Sequence, residues 1–291
     1  MGKKELVISK KQKEKKMGKL SERDKWGICE LYKEGLSTYE IASFLGVSAT
    51  TIGRVLKESK IKMRKYTSKY TYNPYAFDKL TPECAYWLGI LLTDGCINKF
   101  KNSYRLILTL EKTDKNHLEK FKTFLKSNHK LLLEKARKSY PKYTSKLQYR
   151  IQIYLREHTM KKLKEYKMVP QKTLIVDPPD YLFGSRDFLR GCIDGDGCLG
   201  ICSTRNIPYI GFASGSKRFI EKMNKKFNQI TNSNTKISKQ QGNTYVIKYD
   251  RKKAYKIIQF VYENAPDHIV LSRKKEIAEE IFKRFKDKYD N

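Results

Sequence analysis

Two segments of this chain share one pattern, an apolar stretch that contains a glycine and ends in Asp-Gly. The two pairs are Asp94-Gly95 and Asp196-Gly197, which lie about 100 residues apart. Each apolar stretch has the character of a helix, and each pair precedes strand-like segments, then a helix, then more strands. This order predicts an internal duplication, and with it an α+β fold built from two similar halves.

Both apolar stretches begin with residues that favour the start of a helix. In residues 81–97, Thr81 is a capping residue and Pro82 suits the first helical position. In residues 185–199, Ser185 takes the capping position. The two stretches are therefore predicted to be helices that end at the Asp-Gly pairs.

A glycine inside each predicted helix indicates how the two helices pack. Glycine in a helix costs about 1 kcal/mol relative to alanine, so Gly89 and Gly191 suggest that another backbone comes close at these positions. Two helices packed through these glycines would bring Asp94 and Asp196 together at their C-terminal ends.

Two carboxylates at helix C-termini predict a bound cation. The C-terminal end of a helix already carries partial negative charge, so each carboxylate is disfavoured there, and the two repel each other. A divalent cation offsets both effects, and Mg²⁺ prefers carboxylate, carbonyl and water oxygens. Metals near a scissile phosphate activate water and stabilise the leaving oxygen. We therefore expect Asp94 and Asp196 to hold Mg²⁺, with Mn²⁺ or Ca²⁺ able to occupy the same site.

The charge of the chain predicts a polyanionic partner. The 291 residues include 62 Lys and Arg but only 31 Asp and Glu, which gives a formal net charge of +31. Such an excess favours binding to duplex DNA or RNA, with a membrane surface as the second possibility. No apolar run reaches the roughly 18 residues that a membrane span needs, so no membrane partner is expected.

The ends and the cysteines of the chain predict an intracellular protein. The N-terminus is charged and lacks the apolar core of a secretion signal. The six cysteines form no CxxC pair, which is typical of reduced thiols rather than of a zinc site. We expect a cytoplasmic protein that acts on the DNA of its host.

Residues 21–58 are predicted to form a small all-α domain of three helices. Their segment LSTYEIASFLGVSATTIGRVLK resembles a helix-turn-helix, whose last helix enters a major groove of DNA. A helical bundle that binds protein is the alternative. The outward-facing residues of the third helix are the expected DNA contacts: Thr50, Thr51, Arg54 and Lys57.

Two further basic segments flank this domain. Residues 1–20 are predicted to be a flexible basic arm, either a solubilising tail or a DNA contact. Residues 59–79 combine basic residues with tyrosines, which suits a linker that follows a phosphate backbone through Lys62, Arg64 and Lys65. A plain solvated linker is the alternative.

Strand-like segments in the rest of the chain carry polar side chains at alternate positions. Arg and Gln at such positions are the residue types that recognise guanine and adenine in the major groove. A solvated sheet face is the alternative. The candidate DNA contacts are Arg105, Thr109, Gln148, Arg150 and Gln152 in the first half, and Arg205, Lys236, Lys239 and Lys248 in the second.

At the two Asp-Gly elements the sequence resembles the LAGLIDADG homing endonuclease family. The segments WLGILLTDG, at 87–95, and LRGCIDGDG, at 189–197, match the nine-residue motif of the family, and the second matches more closely. The resemblance covers residues of about 80–288 in two copies. It implies αββαββα repeats at residues 80–182 and 183–291, which together form a saddle of antiparallel strands along DNA in a monomeric protein.

The resemblance also implies a role for particular residues. Asp94 and Asp196 would be the metal-binding catalytic acids, one for each DNA strand, with the carbonyl groups of Thr93 and Gly195 as further metal ligands. Leu92 departs from the first acid of the motif, which Asp194 keeps. Two lysines would lie near the scissile phosphates and two polar residues would organise water, namely Lys172, Lys274, Glu111 and Ser214.

These observations predict a site-specific homing endonuclease. We expect it to make double-strand breaks in a long, non-palindromic DNA target by metal-dependent phosphodiester hydrolysis. One alternative is a DNA-binding regulator of the WhiA type, which joins the same fold to a helix-turn-helix and does not cut. Another is an intron maturase on the same fold, for which intron RNA would be a partner.

Overall fold

The computed structural model describes most of the chain. The described residues are 20–63, 69–100, 103–134, 138–140, 143–144, 147–240 and 242–290. The predicted arm, apart from Leu20, and the predicted contacts Arg64 and Lys65 lie outside these ranges. The chain divides into two compact units, Met1–Ser68 and Lys69–Asn291. None of the helices in the described part is long and apolar enough to cross a membrane.

The first unit consists of three short helices around a core of its own. They are α1 (Glu22–Lys33), α2 (Thr38–Leu45) and α3 (Ala49–Glu58). Ser21 and Ser37 cap the first two helices, each in a reciprocal capping box. Gly46 ends α2 with a φ of 68°, a conformation that glycine adopts without strain. Ile28, Ile41 and Ile52, one from each helix, are completely buried against one another.

The second unit contains seven helices and ten strands among its described residues. The helices are α4 (Pro82–Thr93), α5 (Lys115–Phe124), α6 (Glu157–Glu165), α7 (Arg186–Asp196), α8 (Lys217–Thr231), α9 (Arg251–Tyr262) and α10 (Ser272–Tyr289). The strands are β1 (Gly95–Phe100), β2 (Ser103–Glu111), β3 (Leu132–Glu134), β4 (Lys138–Tyr140), β5 (Tyr143–Thr144), β6 (Gln148–Leu155), β7 (Gly197–Cys202), β8 (Ile207–Ser214), β9 (Ser238–Lys239) and β10 (Tyr245–Asp250). Tyr72 and Phe77, which the sequence places in a linker, lie in the core of this unit.

The predicted α+β duplication is confirmed by the two sheets of the second unit. One antiparallel sheet has the strand order β1-β2-β6-β3, and the other has the order β7-β8-β10-β9. The registers correspond as well, because Gly95 pairs with Leu108 and Gly197 pairs with Phe212. The halves differ in two places. The first contains the β4-β5 ribbon, and the second ends in α10 where the first has only the 3-10 turn Lys172–Leu174.

The central contact of this unit is between α4 and α7, through the predicted glycines. A Cβ atom added to Gly89 would lie 2.5 Å from the carbonyl oxygen of Phe188 and 2.7 Å from the backbone nitrogen of Cys192. A Cβ atom added to Gly191 would overlap the carbonyl oxygen of Tyr86. Neither position has room for a side chain, so the two helices run in backbone contact and end side by side.

Candidate metal centre and nucleic-acid interface

Asp94 and Asp196 lie at the adjacent ends of α4 and α7. Asp94 is the C-cap of α4, and its backbone N–H donates to the carbonyl oxygen of Ile90. Asp196 is the last residue of α7. A Cβ atom added to Gly195 would lie 3.3 Å from Oδ2 of Asp94, so the Asp94 carboxyl faces the backbone of the other helix. The structure thus brings together the two acids that the sequence singles out.

The surroundings of the two carboxyl groups disfavour their charge. Loss of hydration raises the pKa of Asp94 to about 6, and the neighbouring Asp196 carboxylate raises it further, while lysines nearby oppose the shift. Asp196 is exposed as a whole residue, yet protein atoms around its carboxyl displace enough water to raise its pKa as well. A pair of carboxylates held in this way is a binding site for a cation.

Lys172 is a buried ammonium beside the first acid. Its Nζ lies 3.4 Å from the carbonyl oxygen of Thr93, in hydrogen-bonding range, and only 7% of the residue is exposed. Burial lowers its pKa, whereas the carboxylates of Asp196 and Asp94 hold the pKa up. Thr93 is further tied to its own helix, since its hydroxyl donates to the carbonyl oxygens of Gly89 and Ile90.

Lys274, the predicted counterpart of Lys172, is held differently. Its Nζ donates to three carbonyl oxygens at the end of α7, those of Ile193 at 2.5 Å, Asp194 at 2.9 Å and Gly197 at 2.6 Å. An ammonium has three N–H donors, so the side chain is fully engaged as a cap on this helix. Burial lowers the pKa of Lys274 and the Asp194 carboxylate holds it up.

Glu111 and Ser214 occupy different positions in the two sheets. Glu111 lies three residues beyond the partner of Gly95 on β2, and Ser214 lies two residues beyond the partner of Gly197 on β8. Since side chains alternate along a strand, the two point to opposite faces. Ser214 accepts a hydrogen bond from the backbone N–H of Ser216, whereas Glu111 is exposed.

The predicted polar side chains of the first sheet share one face. The register aligns Thr109 with Arg150 and Ile107 with Gln152, so their side chains point the same way, opposite to the buried Leu108 and Ile151. Arg105 and Gln148 belong to this face as well. Arg150 forms an ion pair of 2.7 Å with Glu134, and Arg105 stacks on Phe100. The face also includes Asn98, opposite Arg105, which is absent from the predicted contacts because β1 is short.

The second sheet carries fewer charges on the corresponding face. Lys248 lies opposite Gly211 on that face, beside the exposed ring of Tyr209 packed over Gly200. Lys239 lies opposite Tyr245, one residue out of phase with Lys248, and therefore on the other face. The remaining two predicted contacts lie outside the strands and are exposed, Arg205 with an ion pair to Asp250 and Lys236 before β9.

In the first unit, α3 presents three exposed side chains along one face. They are Thr50, Arg54 and Lys57, at helical spacing. Thr51 is partly buried, and its hydroxyl lies 2.8 Å from that of Ser48 at the start of the helix. Lys62, after the helix, is exposed. These positions agree with an outward-facing helix surface, and their contact with DNA stays a prediction.

The donor set at the two helix ends suits a hard cation. No group of three or more His, Cys, Asp or Glu side chains in the described ranges is placed to hold a metal. Two carboxylates are nevertheless a sufficient protein contribution for Mg²⁺, which keeps several of its waters and binds phosphate oxygens. Thr93 and Gly195 lie next to the acids, although the Thr93 carbonyl oxygen already faces Lys172.

The comparisons with known proteins find similarity only among solved structures. No family model and no curated protein match the chain. The homing endonuclease I-WcaI bound to its DNA recognition sequence shares 16% identity, with a TM-score of 0.47, and the match covers 78% of this chain and 92% of that one. I-DmoI in complex with DNA and Mn shares 14% identity, with a TM-score of 0.43, over 67% of this chain and 100% of that one.

A third neighbour belongs to the non-nuclease alternative. The N-terminal LAGLIDADG domain of WhiA shares 14% identity, with a TM-score of 0.41, over 68% of this chain and 93% of that one. The neighbours are thus LAGLIDADG proteins, the group that the sequence motif predicts. Their identities and TM-scores are too low to carry an activity or a ligand over to this chain.

Proposed function

We propose that this chain is a divalent-metal-dependent endonuclease that cuts both strands of a long, non-palindromic DNA target. The observation that carries the proposal is the placement of Asp94 and Asp196 at adjacent helix ends, where they come together with their pKa values raised. Such a pair has no evident structural purpose, because it costs stability unless a cation is bound.

The proposed chemistry needs the two acids to hold the metal and the rest of the chain to hold the DNA. A bound divalent cation would supply an activated water and charge stabilisation at the phosphate. Each acid serves one strand. Lys172, which donates to a single carbonyl oxygen in the described structure, adds positive charge beside the acids where the phosphate would sit.

DNA recognition is proposed to involve both units. The polar face of the first sheet, with Arg105, Arg150 and Gln152, carries the residue types that bind base edges in a major groove. The exposed face of α3 adds a flanking contact. Both acids belong to one chain, so one molecule is sufficient for two cuts, and two diverged repeats favour an asymmetric target.

Cleavage of a plasmid library with random inserts, with Mg²⁺ and then with EDTA, tests the proposal. We expect wild-type protein to linearise a subset of plasmids only with Mg²⁺, and Asp94→Asn and Asp196→Asn each to leave that subset nicked. Asp180→Asn, which removes an exposed carboxyl paired with Lys222, is the control and should cut normally.

The opposite result would be binding without cutting. If wild type and both variants retain the same inserts in a pull-down and none of them cuts with Mg²⁺ or Mn²⁺, the nuclease proposal is wrong and a regulator of transcription is favoured. Retention of structured RNA in place of duplex DNA would favour the maturase alternative.

A further inference from the structure

Asp194, two residues before the second proposed catalytic acid, is a buried carboxyl with three hydrogen-bond donors around it. It accepts from the hydroxyl of Tyr262 at 2.6 Å, from the hydroxyl of Tyr86 at 2.7 Å and from the backbone N–H of Leu271 at 2.8 Å. Only 2% of the residue is exposed. The side chain is therefore enclosed in the core and takes no direct part in a metal site at the surface.

The contact with Leu271 connects this carboxyl to Lys274. Leu271 is the N-cap of α10, and its backbone carbonyl accepts from the N–H of Lys274 in the first turn. Lys274 in turn reaches back with its ammonium to the carbonyl oxygens of Ile193, Asp194 and Gly197. The carboxyl, the start of α10 and the ammonium thus form a closed path around the end of α7, which carries Asp196.

The first repeat lacks this path. Leu92 takes the place of Asp194 and is a buried apolar side chain that accepts no hydrogen bond. In place of α10 the chain forms the 3-10 turn that begins at Lys172. Among the described residues, the Lys172 ammonium has one carbonyl acceptor, at 3.4 Å, against three for Lys274.

We propose that Asp194 is a positioning residue that makes the two half-sites unequal. By holding the start of α10 it sets Lys274 on the end of α7 and fixes the backbone next to Asp196. The first half-site, at Asp94, rests on apolar packing and on a less engaged lysine. This inference rests on the proposed function in one respect, the assignment of one acid to each strand.

The test compares two variants that weaken this path with one matched control. Asp194→Asn keeps the size of the side chain and removes its charge, and Tyr262→Phe removes one donor, which keeps the test decisive if the first variant does not fold. Tyr249→Phe is the control, because it removes another buried hydroxyl of the second repeat, one that donates to Oδ1 of Asn224 at 2.6 Å.

Hydrogen exchange of the free protein, measured by mass spectrometry, is the first readout. We expect the amides of residues 271–275 to exchange at least ten times faster in Asp194→Asn and Tyr262→Phe than in wild type, and at the wild-type rate in Tyr249→Phe. Unchanged exchange in both test variants would overturn the proposal, whether or not the protein cuts DNA.

Strand-specific cleavage is the second readout. We expect both test variants to slow the strand that Asp196→Asn fails to cut by at least tenfold, and to leave the other strand at its wild-type rate. Equal slowing of both strands would reduce Asp194 to a general stability role and overturn the proposal. If wild-type protein cuts nothing, the proposed function fails on its own, and the exchange result still decides whether Asp194 holds α10.

Discussion

At the scale of single residues, the free energy of the site is dominated by where the two acids are placed. Asp94 has a pKa of about 6 against an ordinary value of 3.8, chiefly because it is buried. The folded protein therefore binds a proton at Asp94 more tightly than the unfolded chain does, and its stability falls as the pH rises through this range. Ionised Asp94 thus destabilises the metal-free fold at neutral pH.

Replacement of Asp94 by Asn should stabilise the metal-free protein. At pH 7.5 in EDTA we expect the free energy of unfolding to rise by on the order of 3 kcal/mol, from the size of the pKa shift. The gain should shrink as the pH falls from 6 to 4, because wild-type Asp94 becomes protonated in that range. Urea unfolding at a series of pH values measures this.

Two comparisons make this result specific. Mg²⁺ should raise the melting temperature of wild type and leave that of Asp94→Asn nearly unchanged, since the variant lacks one of the two carboxylate ligands. Asp180→Asn, away from the helix ends, should show neither effect. A variant that is less stable than wild type at pH 7.5 in EDTA would mean that the carboxylate is held by partners rather than strained.

The two lysines provide a second comparison between single residues. Lys274→Met leaves three carbonyl oxygens at the end of α7 without their donor, which we expect to cost about 2–4 kcal/mol. Lys172→Met removes a buried charge with one long hydrogen bond, so its cost should stay below about 1 kcal/mol. Urea unfolding of the two variants side by side measures the difference, and equal losses would contradict it.

At the scale of elements, the packing of α4 on α7 decides where the acids lie. The apolar stretches and their glycines were sufficient to predict two helices and their close approach, because glycine inside a helix costs stability unless a neighbouring backbone needs the space. The strands were less predictable. Lys239 falls on the opposite face from Lys248 because β9 is only two residues long and pairs with β10 out of phase with that pattern.

A methyl group added at the helix contact should be far more costly than one added elsewhere. In Gly89→Ala the new Cβ would lie 2.5–2.9 Å from backbone atoms of α7, so we expect a loss of at least about 3 kcal/mol. Gly53→Ala is the matched control, since it lies in α3 with nothing within 4 Å, and it should gain about 0.5–1 kcal/mol for the first unit.

The two tryptophans allow each unit to be followed separately. Trp87 is buried in α4, and Trp26 is exposed on α1. In a Trp26→Phe background, the fluorescence of Trp87 reports the unfolding of the second unit in urea. An unfolding midpoint for Gly89→Ala equal to that of its parent would show that the helices have room to separate.

At the scale of the whole molecule, the net charge of +31 is shared between two units with separate cores. Each unit presents exposed basic residues, so binding to a polyanion is expected to be strong and dependent on salt. The proposed catalytic acids belong to the second unit alone. Affinity and chemistry are therefore expected to be separable by substitution.

Arg54→Ala combined with Lys57→Ala should weaken DNA binding without slowing the cut. We expect the plot of log affinity against log salt concentration to become shallower by about 0.9 for each phosphate that the variant no longer neutralises, while the cleavage rate at saturating protein stays unchanged. Lys33→Ala is the control, because Lys33 is an exposed lysine of the same unit paired with Glu30. An unchanged affinity would exclude α3 from the DNA interface.

The sequence by itself determined the features that depend on spacing along the chain. The duplication, the helices with their caps, the two glycines and the two terminal acids all follow from patterns within about 15 residues or from one repeat distance. Such patterns are local, and the backbone obeys them wherever the segment lies.

Only the tertiary structure decided which groups surround the acids. Asp194 receives its hydroxyl donors from Tyr86 and Tyr262, which are 108 and 68 residues away along the chain. Lys274 and Lys172 follow equivalent segments, yet one caps a helix with three bonds and the other donates to a single carbonyl oxygen. The reason is physical: a buried polar side chain bonds whichever partner the packing brings within about 3 Å, and sequence spacing carries no record of that distance.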